Sequence, residues 1–340
     1  MLPEISVIVL NHNGRKWLAG CLDSLAAQAG APAFETIVVD NASSDGSVAF
    51  LAEHYPAVTV LPAPTNLGFA EGNSLGARRA RGSFLVFLNN DTIADADWLA
   101  RLHGSIAARP EYSLATSRIV FMDDPDTLDS AGDGYLRAGG AFKRGHGAPV
   151  RDWGVSQEIF GACGAAFLIR RTVYEALGGF DPRFFMVYED VDLSYRARLL
   201  GHRCWYAADA VVRHAGSGTL GVASPAAVFY GQRNLEWTWL KNTPRSLLIR
   251  TAIPHVCYTA AGLAYYARAG RLVPALRGKL AALVGVPAVL RDRRAIQRAA
   301  VVSARVVEDM MEPRWLALKR HEKAARRERR GGDGRRKGQS

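Results

Sequence analysis

Several common kinds of functional site are missing from this sequence. Its four cysteines are spread along 340 residues without a CxxC pair, which argues against a zinc site or a disulfide framework. The first apolar run is followed by NHNG rather than by a GxGxxG turn, so a dinucleotide site of the oxidoreductase type is not indicated. No charged segment followed by a long apolar stretch opens the chain, so we expect no secretory signal and a reducing cytoplasm.

Positive charge is plentiful but unevenly distributed. The net charge is +11 and the pI is near 9.7, while 49% of the residues are hydrophobic, enough for a sizeable core. Residues 314–337 alone contain 11 Lys and Arg against three acidic residues. The charged, Gly-rich end of this segment predicts disorder. Such a basic tail can bind either nucleic acid or anionic lipid head groups. No aromatic side chains lie between the charges at its end, so we expect no nucleic-acid partner.

The first 90 residues alternate between strand-like and helix-like patterns. Continuous apolar runs predict strands at Ile5–Leu10, Phe34–Val39, Val58–Leu61 and Phe84–Leu88. Helical spacing separates them, which predicts βαβ crossovers and a largely parallel sheet. Ligands of such sheets bind beyond the carboxyl ends of the strands. Polar residues follow all four predicted strands, at 11–13, 40–45, 65–68 and 89–91.

The rest of the chain is less regular. Residues 121–153 are rich in Gly and Asp and predict loops, and a strand within 161–171 is followed by a helix at 172–177. A further helix is predicted from about Asp190 to Leu200, stopped by Gly201. Residues 251–267 carry no charge and lie among Arg and Lys residues. This pattern predicts a segment lying on a membrane surface, with a soluble helical subdomain as the open alternative.

Three clusters contain side chains capable of chemistry. Asp91, with Asn89 and Asn90, is either a helix cap or a ligand of a divalent cation. The carboxylates of YEDVDL, residues 188–193, either complement a helix dipole or include a proton acceptor with a raised pKa. A calcium loop is excluded there, because Tyr195 and Gly201 occupy the positions that require Gly and Glu. His214 is either structural or a ligand, depending on whether Asp91 lies nearby.

Six motifs occur in the order found in one enzyme family. They are ISVIVLNHNG, VVDNASSDGS, NLGFAEGN, FLNNDT, GGFDPRFFMVYEDVDLSYRARLLGHR and HAGSG. Together they resemble the family 2 glycosyltransferases, in particular their bacterial rhamnosyltransferase-like branch, from about Ile5 to Asn234. The resemblance implies an α/β protein with a GT-A (Rossmann-like) sheet that has helices on both faces.

The resemblance also assigns donor-binding positions. The segment Leu10, Asn11, His12 and Asn13 corresponds to the part that holds the nucleotide base, with His12 where relatives commonly have Tyr. Asp40 matches the carboxylate that accepts a hydrogen bond from the pyrimidine N–H. Asn66 and Gly68 match an element near the ribose and diphosphate, in which Ser74 replaces a common Asn. Asn89 and Asn90 belong to the altered DxD motif, and Arg233 with Asn234 resembles a segment near the diphosphate.

The same resemblance assigns the chemistry. Asp91 and His214 match the ligands of a divalent cation, Mn²⁺ or Mg²⁺. Asp190 matches the general base. As positions that contact the acceptor or support Asp190, we predict Glu189, Asp192, Gly161 and Cys163.

These expectations combine into one functional hypothesis. A catalytic domain over 1–225 would precede a membrane-surface helical region over 226–295 and a basic helix and tail over 296–340. The implied enzyme is an inverting glycosyltransferase that moves a sugar, with dTDP-rhamnose as the favoured donor, to a lipid-linked or glycan acceptor in cell-surface polysaccharide synthesis. We expect it in the cytoplasm, peripheral on the cytoplasmic face of the inner membrane. A non-catalytic scaffold that binds nucleotide sugars is the alternative.

Overall fold

The structure, a computed structural model, describes residues 2–216 and 224–318. Strands β1 to β12 are Ile5–Asn11, Phe34–Asp40, Thr59–Pro62, Phe84–Asn89, Thr92–Ala94, Tyr112–Phe121, Leu128–Ser130, Asp133–Tyr135, Ala141–Lys143, Gln157–Ile159, Ala166–Arg170 and Arg203–His214. Helices α1 to α10 are Arg15–Ala26, Ser47–His54, Gly68–Arg79, Trp98–Ala107, Arg171–Ala176, Glu189–Leu199, Pro225–Asn242, Arg245–Arg268, Leu272–Ala299 and Ala304–Asp309. Residues 319–340, which include the end of the basic tail that was predicted to be disordered, lie outside the described residues.

One large mixed sheet organises the first 214 residues. Its strand order is β10-β12-β6-β11-β4-β1-β2-β3, with β5 paired to β12 and β7 paired to β6. Strands β1 to β4 are parallel where they pair, as the alternating pattern predicts. β11 is antiparallel to both of its neighbours, and β12 is parallel to β6. The expected α/β fold is confirmed. The sheet was predicted to be largely parallel, but it is mixed, because β5, β7, β10 and β11 join it in antiparallel pairs.

The sheet is buried on both faces, which explains why its central strands are apolar without alternation. Ile5, Val7 and Val9 of β1 pack on the side of α1 and α4, whereas Ile8 packs on the opposite side with α3 and α6. The four side chains are completely buried. Helices therefore lie on both faces of the sheet, as the resemblance implies.

Three parts of the chain differ from the sequence-based expectations. The region 121–153, predicted as loops, contains the three short strands β7, β8 and β9. Each is only three residues long and pairs with a strand close to it in the chain, so it is too short to leave a recognisable periodicity in the sequence. Strands β6 and β12 were not predicted, because Ser, Thr, Asp and Arg interrupt their apolar residues.

Strand registers bring the predicted site residues to one edge. Asn11 lies opposite Asp40, and Leu10 lies opposite Asn89. On the far side of the sheet, the last residue of β12, His214, pairs with Thr92 of β5. Because Thr92 directly follows Asp91, this pairing places an imidazole from the end of β12 beside the carboxylate that follows β4.

A buried ion network joins α6 to α7. Asp192 accepts hydrogen bonds from Arg196 Nε at 2.8 Å and Asn242 Nδ2 at 2.8 Å, and it lies 2.8 Å from Lys241 Nζ. Asp181 is the second partner of Lys241, at 2.8 Å. Burial raises the pKa of Asp192, but the charges of Arg196 and Lys241 outweigh it and lower that pKa below its usual value. The network fixes the helix that carries the predicted base.

The C-terminal helices present apolar side chains to solvent. One face of α9 packs on α7, where Trp237 Nε1 donates to the carbonyl of Ala282 at 3.1 Å. The exposed side chains on the other face of α9 and on α8, here called the apolar stripe, are Ile249, Ile253, Val256, Val273, Leu276, Leu280, Leu283 and Val284. Both helices are long and apolar enough to cross a membrane, a test that core helices of soluble proteins also pass.

We expect Asp192→Ala to lower the free energy of unfolding by about 3–5 kcal/mol, because it leaves buried cations short of a partner. Urea denaturation measures this change. Glu71→Ala, which breaks the more exposed Arg78–Glu71 pair, is the control and should cost less than about 1 kcal/mol. A loss for Asp192→Ala no larger than that of the control would contradict the structural role of the network.

Candidate active site

A cavity of about 210 Å³ opens at the carboxyl ends of β1, β2 and β4. Eight of its lining residues were predicted from the sequence, namely Leu10, His12, Asn66, Gly68, Asn89, Asn90, Asp91 and His214. Four were not, namely Asn41, Phe69, Phe185 and Met186. The cavity lies where ligands of open α/β sheets bind.

Asn11 connects the ends of three neighbouring strands beneath this cavity. Its Nδ2 donates to Asp40 Oδ1 at 3.0 Å, and its Oδ1 accepts from Asn90 Nδ2 at 2.7 Å. Asp40 also accepts from the backbone N–H of Ser43 at 3.0 Å, and Asn13 Oδ1 accepts from the next backbone N–H, that of Ser44, at 2.8 Å. Asn11, Asn13 and Asp40 thus support the cavity and are not among the residues that line it.

Asn41 is a cavity residue within the polar segment 40–45, but it was not among the individual site residues predicted from the sequence. Its Nδ2 donates to Asn66 Oδ1 at 3.0 Å, and its Oδ1 accepts from the N–H of Leu67 at 2.7 Å. These bonds fix the segment that begins α3. Gly68 in that segment has φ +73°, and a side chain there would come within 2.5 Å of Phe185, so this position requires glycine.

His214 lies between two carboxylates. Its Nε2 is 3.2 Å from Asp91 Oδ1, and its Nδ1 is 2.8 Å from Asp129 Oδ2. All three side chains are buried. Burial lowers the pKa of His214, but the hydrogen bonds to Asp129 and Asp91 outweigh it and raise that pKa to about 9.

This arrangement fits a divalent cation. Asp129 can accept the Nδ1 proton of His214, which leaves Nε2 free to join Asp91 in binding a metal, and a carboxylate commonly orients a metal-binding histidine in this way. Imidazole, one carboxylate and the oxygens of a diphosphate form a donor set that suits Mn²⁺ or Mg²⁺. Asp91 and His214 would therefore hold the ion.

Asp129 itself was not predicted. Lys143 Nζ donates to both of its carboxylate oxygens at 2.9 Å, and His146 Nδ1 is 3.2 Å away. Burial raises the pKa of Asp129, yet Lys143 and the two histidines outweigh it and hold that pKa well below its usual value. Nothing in the local sequence distinguishes Asp129 from the other acidic residues of 121–153, because its contact with the site is made through His214, which lies 85 residues further along the chain.

Asp190 lies at the start of α6 and is held by backbone N–H groups. Gly164 donates to its Oδ2 at 2.7 Å, and Val191 donates to its Oδ1 at 2.8 Å. The residue after Gly164, Ala165, accepts from the N–H of Asn89 at 2.9 Å. The carboxylate is thereby tied to the end of β4, directly before the residues that form the cavity wall. Burial raises the pKa of Asp190 in spite of these two bonds.

Further polar groups surround Asp190. Ligand atoms of Asp133, Cys163 and Asp190 all lie within 4.8 Å of one another. Burial and the charge of Asp190 raise the pKa of Asp133 well above its usual range. Glu189 is also buried, its Oε2 has no hydrogen-bond partner, and burial raises its pKa well above the usual range. Gly161 contributes only backbone bonds, with the N–H and carbonyl of Asp133.

Two predicted residues take part in internal packing. Asp192 is completely buried in the α6–α7 ion network and does not line the cavity. Arg233 donates to the carbonyl oxygens of Arg183 at 2.5 Å and Phe184 at 3.1 Å, and its guanidinium lies 4.3 Å from the ring centre of Trp237. Its contacts within the protein are therefore with the segment before α6.

Comparison with known proteins identifies the family. The model of the family described as "Glycosyl transferase family 2" matches residues 6–178. This chain belongs to glycosyl transferase family 2. The resemblance read from the six motifs is thereby confirmed.

Individual relatives agree with this family. The chain is 30% identical to the O-antigen biosynthesis protein RfbC of Myxococcus xanthus, over 70% of this chain and 19% of that protein. It is 25% identical to the N-acetylglucosaminyl-diphospho-decaprenol L-rhamnosyltransferase of Mycobacterium tuberculosis, over 63% of this chain and 76% of that enzyme. The chain spans less than two thirds of the length of several curated relatives that it matches.

A solved structure shows the same fold. The mannosyltransferase PcManGT of Pyrobaculum calidifontis, determined with GDP-Man and Mn²⁺, superimposes with a TM-score of 0.52 at 21% identity. The match covers 89% of this chain and 87% of that one. The GT-A fold expected from the sequence is confirmed, together with helices that follow the sheet domain.

We expect Mn²⁺ binding to release about one proton near pH 7.5, because His214, whose pKa is raised to about 9, must lose its proton to bind the ion. Affinity should therefore rise about tenfold per pH unit below pH 9 and level off above it. Calorimetry with dTDP present, in two buffers of different ionisation enthalpy, counts the protons. His12→Ala should leave the count unchanged, and a wild-type count of zero would contradict the role of His214.

Proposed function

We propose that this protein is an inverting, metal-dependent glycosyltransferase. It transfers rhamnose from a nucleoside-diphosphate donor, with dTDP-rhamnose favoured, to a lipid-linked or glycan acceptor in bacterial cell-surface polysaccharide synthesis. The observation that carries this proposal is the buried pair of Asp91 and His214, which lies in a cavity at the strand ends and is connected through β4 to Asp190.

The chemistry requires one proton transfer and one displacement. Asp190 takes the proton of an acceptor hydroxyl, and the resulting oxygen attacks the anomeric carbon of the donor sugar. The new glycosidic bond forms as the bond to the leaving phosphate breaks, so the configuration inverts. Asp91 and His214 would hold a divalent cation, which would supply positive charge to stabilise the departing diphosphate.

Different residues at the cavity contact different parts of the donor. Leu10 and His12 contact the base from the cavity wall. Asp40, which the family resemblance assigns to the base N–H, lies beneath this wall and is held there by Asn11. Asn66, Gly68 and the newly recognised Asn41 form the wall beside the ribose. Asn89 and Asn90 face the diphosphate from the end of β4, and Arg233 contributes positive charge from α7.

Two buried carboxyl groups accompany Asp190 on the acceptor side. Burial raises the pKa of Glu189 and of Asp133 well above the usual range, which favours the protonated form that can donate a hydrogen bond. The Oε2 atom of Glu189 is buried without a hydrogen-bond partner, and because Glu189 directly precedes Asp190, we assign it a supporting role for that carboxylate. The backbone of Gly161 and the side chain of Cys163 complete this surface around Asp190.

The names of two relatives support the choice of substrates. RfbC is an O-antigen biosynthesis protein, and the mycobacterial relative is a rhamnosyltransferase acting on a diphospho-decaprenol acceptor. A lipid-linked acceptor would require the enzyme at a membrane. We accordingly place it in the cytoplasm, peripheral on the cytoplasmic face of the inner membrane.

The apolar stripe supports contact with a membrane surface. Ile253 and Val284 are 78% and 82% exposed, and the stripe is longer than the isolated apolar side chains usual on a soluble surface. Basic residues accompany it at Arg245, Arg268 and Arg277. An apolar face with flanking positive charge is typical of helices that lie in the interface of an anionic bilayer.

We expect Asp190→Asn to lower kcat by about 100-fold or more, since a general base contributes a factor in that range. The affinity for dTDP should stay within about twofold, because Asp190 does not line the donor cavity. Radiolabelled sugar transfer and calorimetry measure the two quantities. Wild-type turnover in the variant would remove Asp190 from the mechanism, and a wild-type protein that binds but never transfers any nucleotide sugar would indicate the scaffold.

We expect the double variant Ile253→Asn/Val284→Asn to bind vesicles containing anionic phosphatidylglycerol at least about tenfold more weakly, because each change removes buried apolar area from the interface. Vesicle co-sedimentation measures binding. The matched control Leu2→Asn/Val155→Asn changes two equally exposed apolar residues away from the stripe and should bind as wild type does. Equal binding by all three proteins would contradict the assignment of the stripe.

A further inference from the structure

We propose that Asn234 is a positioning residue, which holds the segment 184–188 in the strained conformation that shapes the donor cavity and presents Asp190. This inference rests on the proposed function, because it assigns Asp190 its role as base. It concerns a side chain with no direct contact to the cavity.

The segment 184–188 is conformationally strained. Phe185, Val187 and Tyr188 have φ values of 62°, 65° and 76°. Positive φ is uncommon for any residue other than glycine, and for a bulky or β-branched side chain it is a real outlier. Such a conformation persists only where the surrounding structure holds it, and it concentrates at functional sites.

Asn234 supplies the holding contacts. Its side chain is completely buried in α7. Its Nδ2 group, which has two hydrogens to donate, lies within hydrogen-bond distance of three carbonyl oxygens, those of Phe184 at 2.8 Å, Met186 at 2.9 Å and Val187 at 2.7 Å. Its Oδ1 accepts from Arg233 Nε at 2.9 Å. Because a guanidinium can only donate, this last bond fixes which end of the amide faces the three carbonyls.

The segment 184–188 contacts the donor cavity at one end and leads into the helix that carries Asp190 at the other. Phe185 and Met186 line the donor cavity, and the carbonyl of Phe185 accepts from the N–H groups of Phe69 at 2.5 Å and Ala70 at 3.3 Å. At its other end, Tyr188 is followed directly by α6, whose second residue is Asp190. A shift of this backbone would therefore move the donor wall and the base together.

The chemistry of the amide explains why this position carries asparagine. Three carbonyl oxygens converge on one side chain, so that side chain must be a hydrogen-bond donor. Aspartate has the same shape, but its carboxylate would face these oxygens with negative charge and no proton. The buried carbonyls would lose their partner, which is costly without water to replace it. Asn234→Asp is thus a nearly isosteric test of the contact.

We expect Asn234→Asp to lower kcat by about 100-fold, since displacement of a catalytic group by about 1 Å costs a factor of this size. Donor affinity should fall less, by under about tenfold, because the remaining cavity residues stay in place. Thr238→Val is the matched control: Thr238 lies one turn further along α7, is equally buried, and its hydroxyl has no hydrogen-bond partner. It should retain wild-type kcat.

Hydrogen–deuterium exchange tests the contact without any substrate. In Asn234→Asp, amides of 184–188 should exchange at least about tenfold faster than in wild type, while strands β1 and β4 keep their protection. Thr238→Val should leave the segment unchanged. If Asn234→Asp does not fold, Asn234→Ser replaces it as the test variant. Serine keeps a single donor, so we expect smaller changes in the same direction, both in the exchange of 184–188 and in kcat.

The outcomes separate this inference from the proposed function. Unchanged exchange in 184–188, or a kcat within threefold of wild type, would overturn the positioning role of Asn234. Faster exchange confined to 184–188 together with a reduced kcat would support it. A wild-type protein inactive with every nucleotide sugar would end the proposed function, while the exchange comparison would still decide whether Asn234 holds the segment.

Discussion

The buried contact of the His214 imidazole with Asp91 and Asp129 is the interaction on which the site depends. Charged groups lose their hydration when buried, and they are tolerated only where other charges and hydrogen bonds replace it. Asp129 receives this compensation from Lys143 and His146. Asp91, in contrast, lines the cavity. The two carboxylates thus share one imidazole but have different environments, one inside the protein and one facing the cavity.

The geometry of the sheet produces this convergence. Parallel strands end at a common edge, so the short polar segments after β1, β2 and β4 meet and hydrogen-bond to one another through Asn11. β12 then runs beside β6 and finishes at the same edge, where it adds His214. A site assembled from four strand ends is rigid, because each polar side chain is held by the neighbouring strand as well as by its own.

Local patterns predicted the strands that contain a continuous apolar run. β1 to β4 are apolar because both faces are covered, and the polar residues after them predicted the edge of the sheet at which the cavity lies. β6 and β12 carry polar residues whose burial depends on long-range pairing, so neither strand could be recognised from its own residues. The same reason hid Asp129 and Asn41, whose roles come from contacts with His214 and with Asn66. Asp91, Asp190 and His214 were predicted because the six motifs point to their family, and the contacts around them became visible only in the folded chain.

Close packing between α7 and α9 brings the exposed apolar face of α9 near the segment 184–188 that α7 holds. Gly278 and Gly285 leave no space for a side chain between the two helices, so α9 lies directly on the helix that bears Asn234. The exposed face of α9 is on the opposite side, and a helix with its side chains is about 10–12 Å thick. A bilayer resting on that face would lie little more than two helix thicknesses from the segment before Asp190. A hydroxyl carried on the head of a long polyprenyl chain could then arrive by diffusion in two dimensions, with its hydrocarbon never leaving the lipid phase.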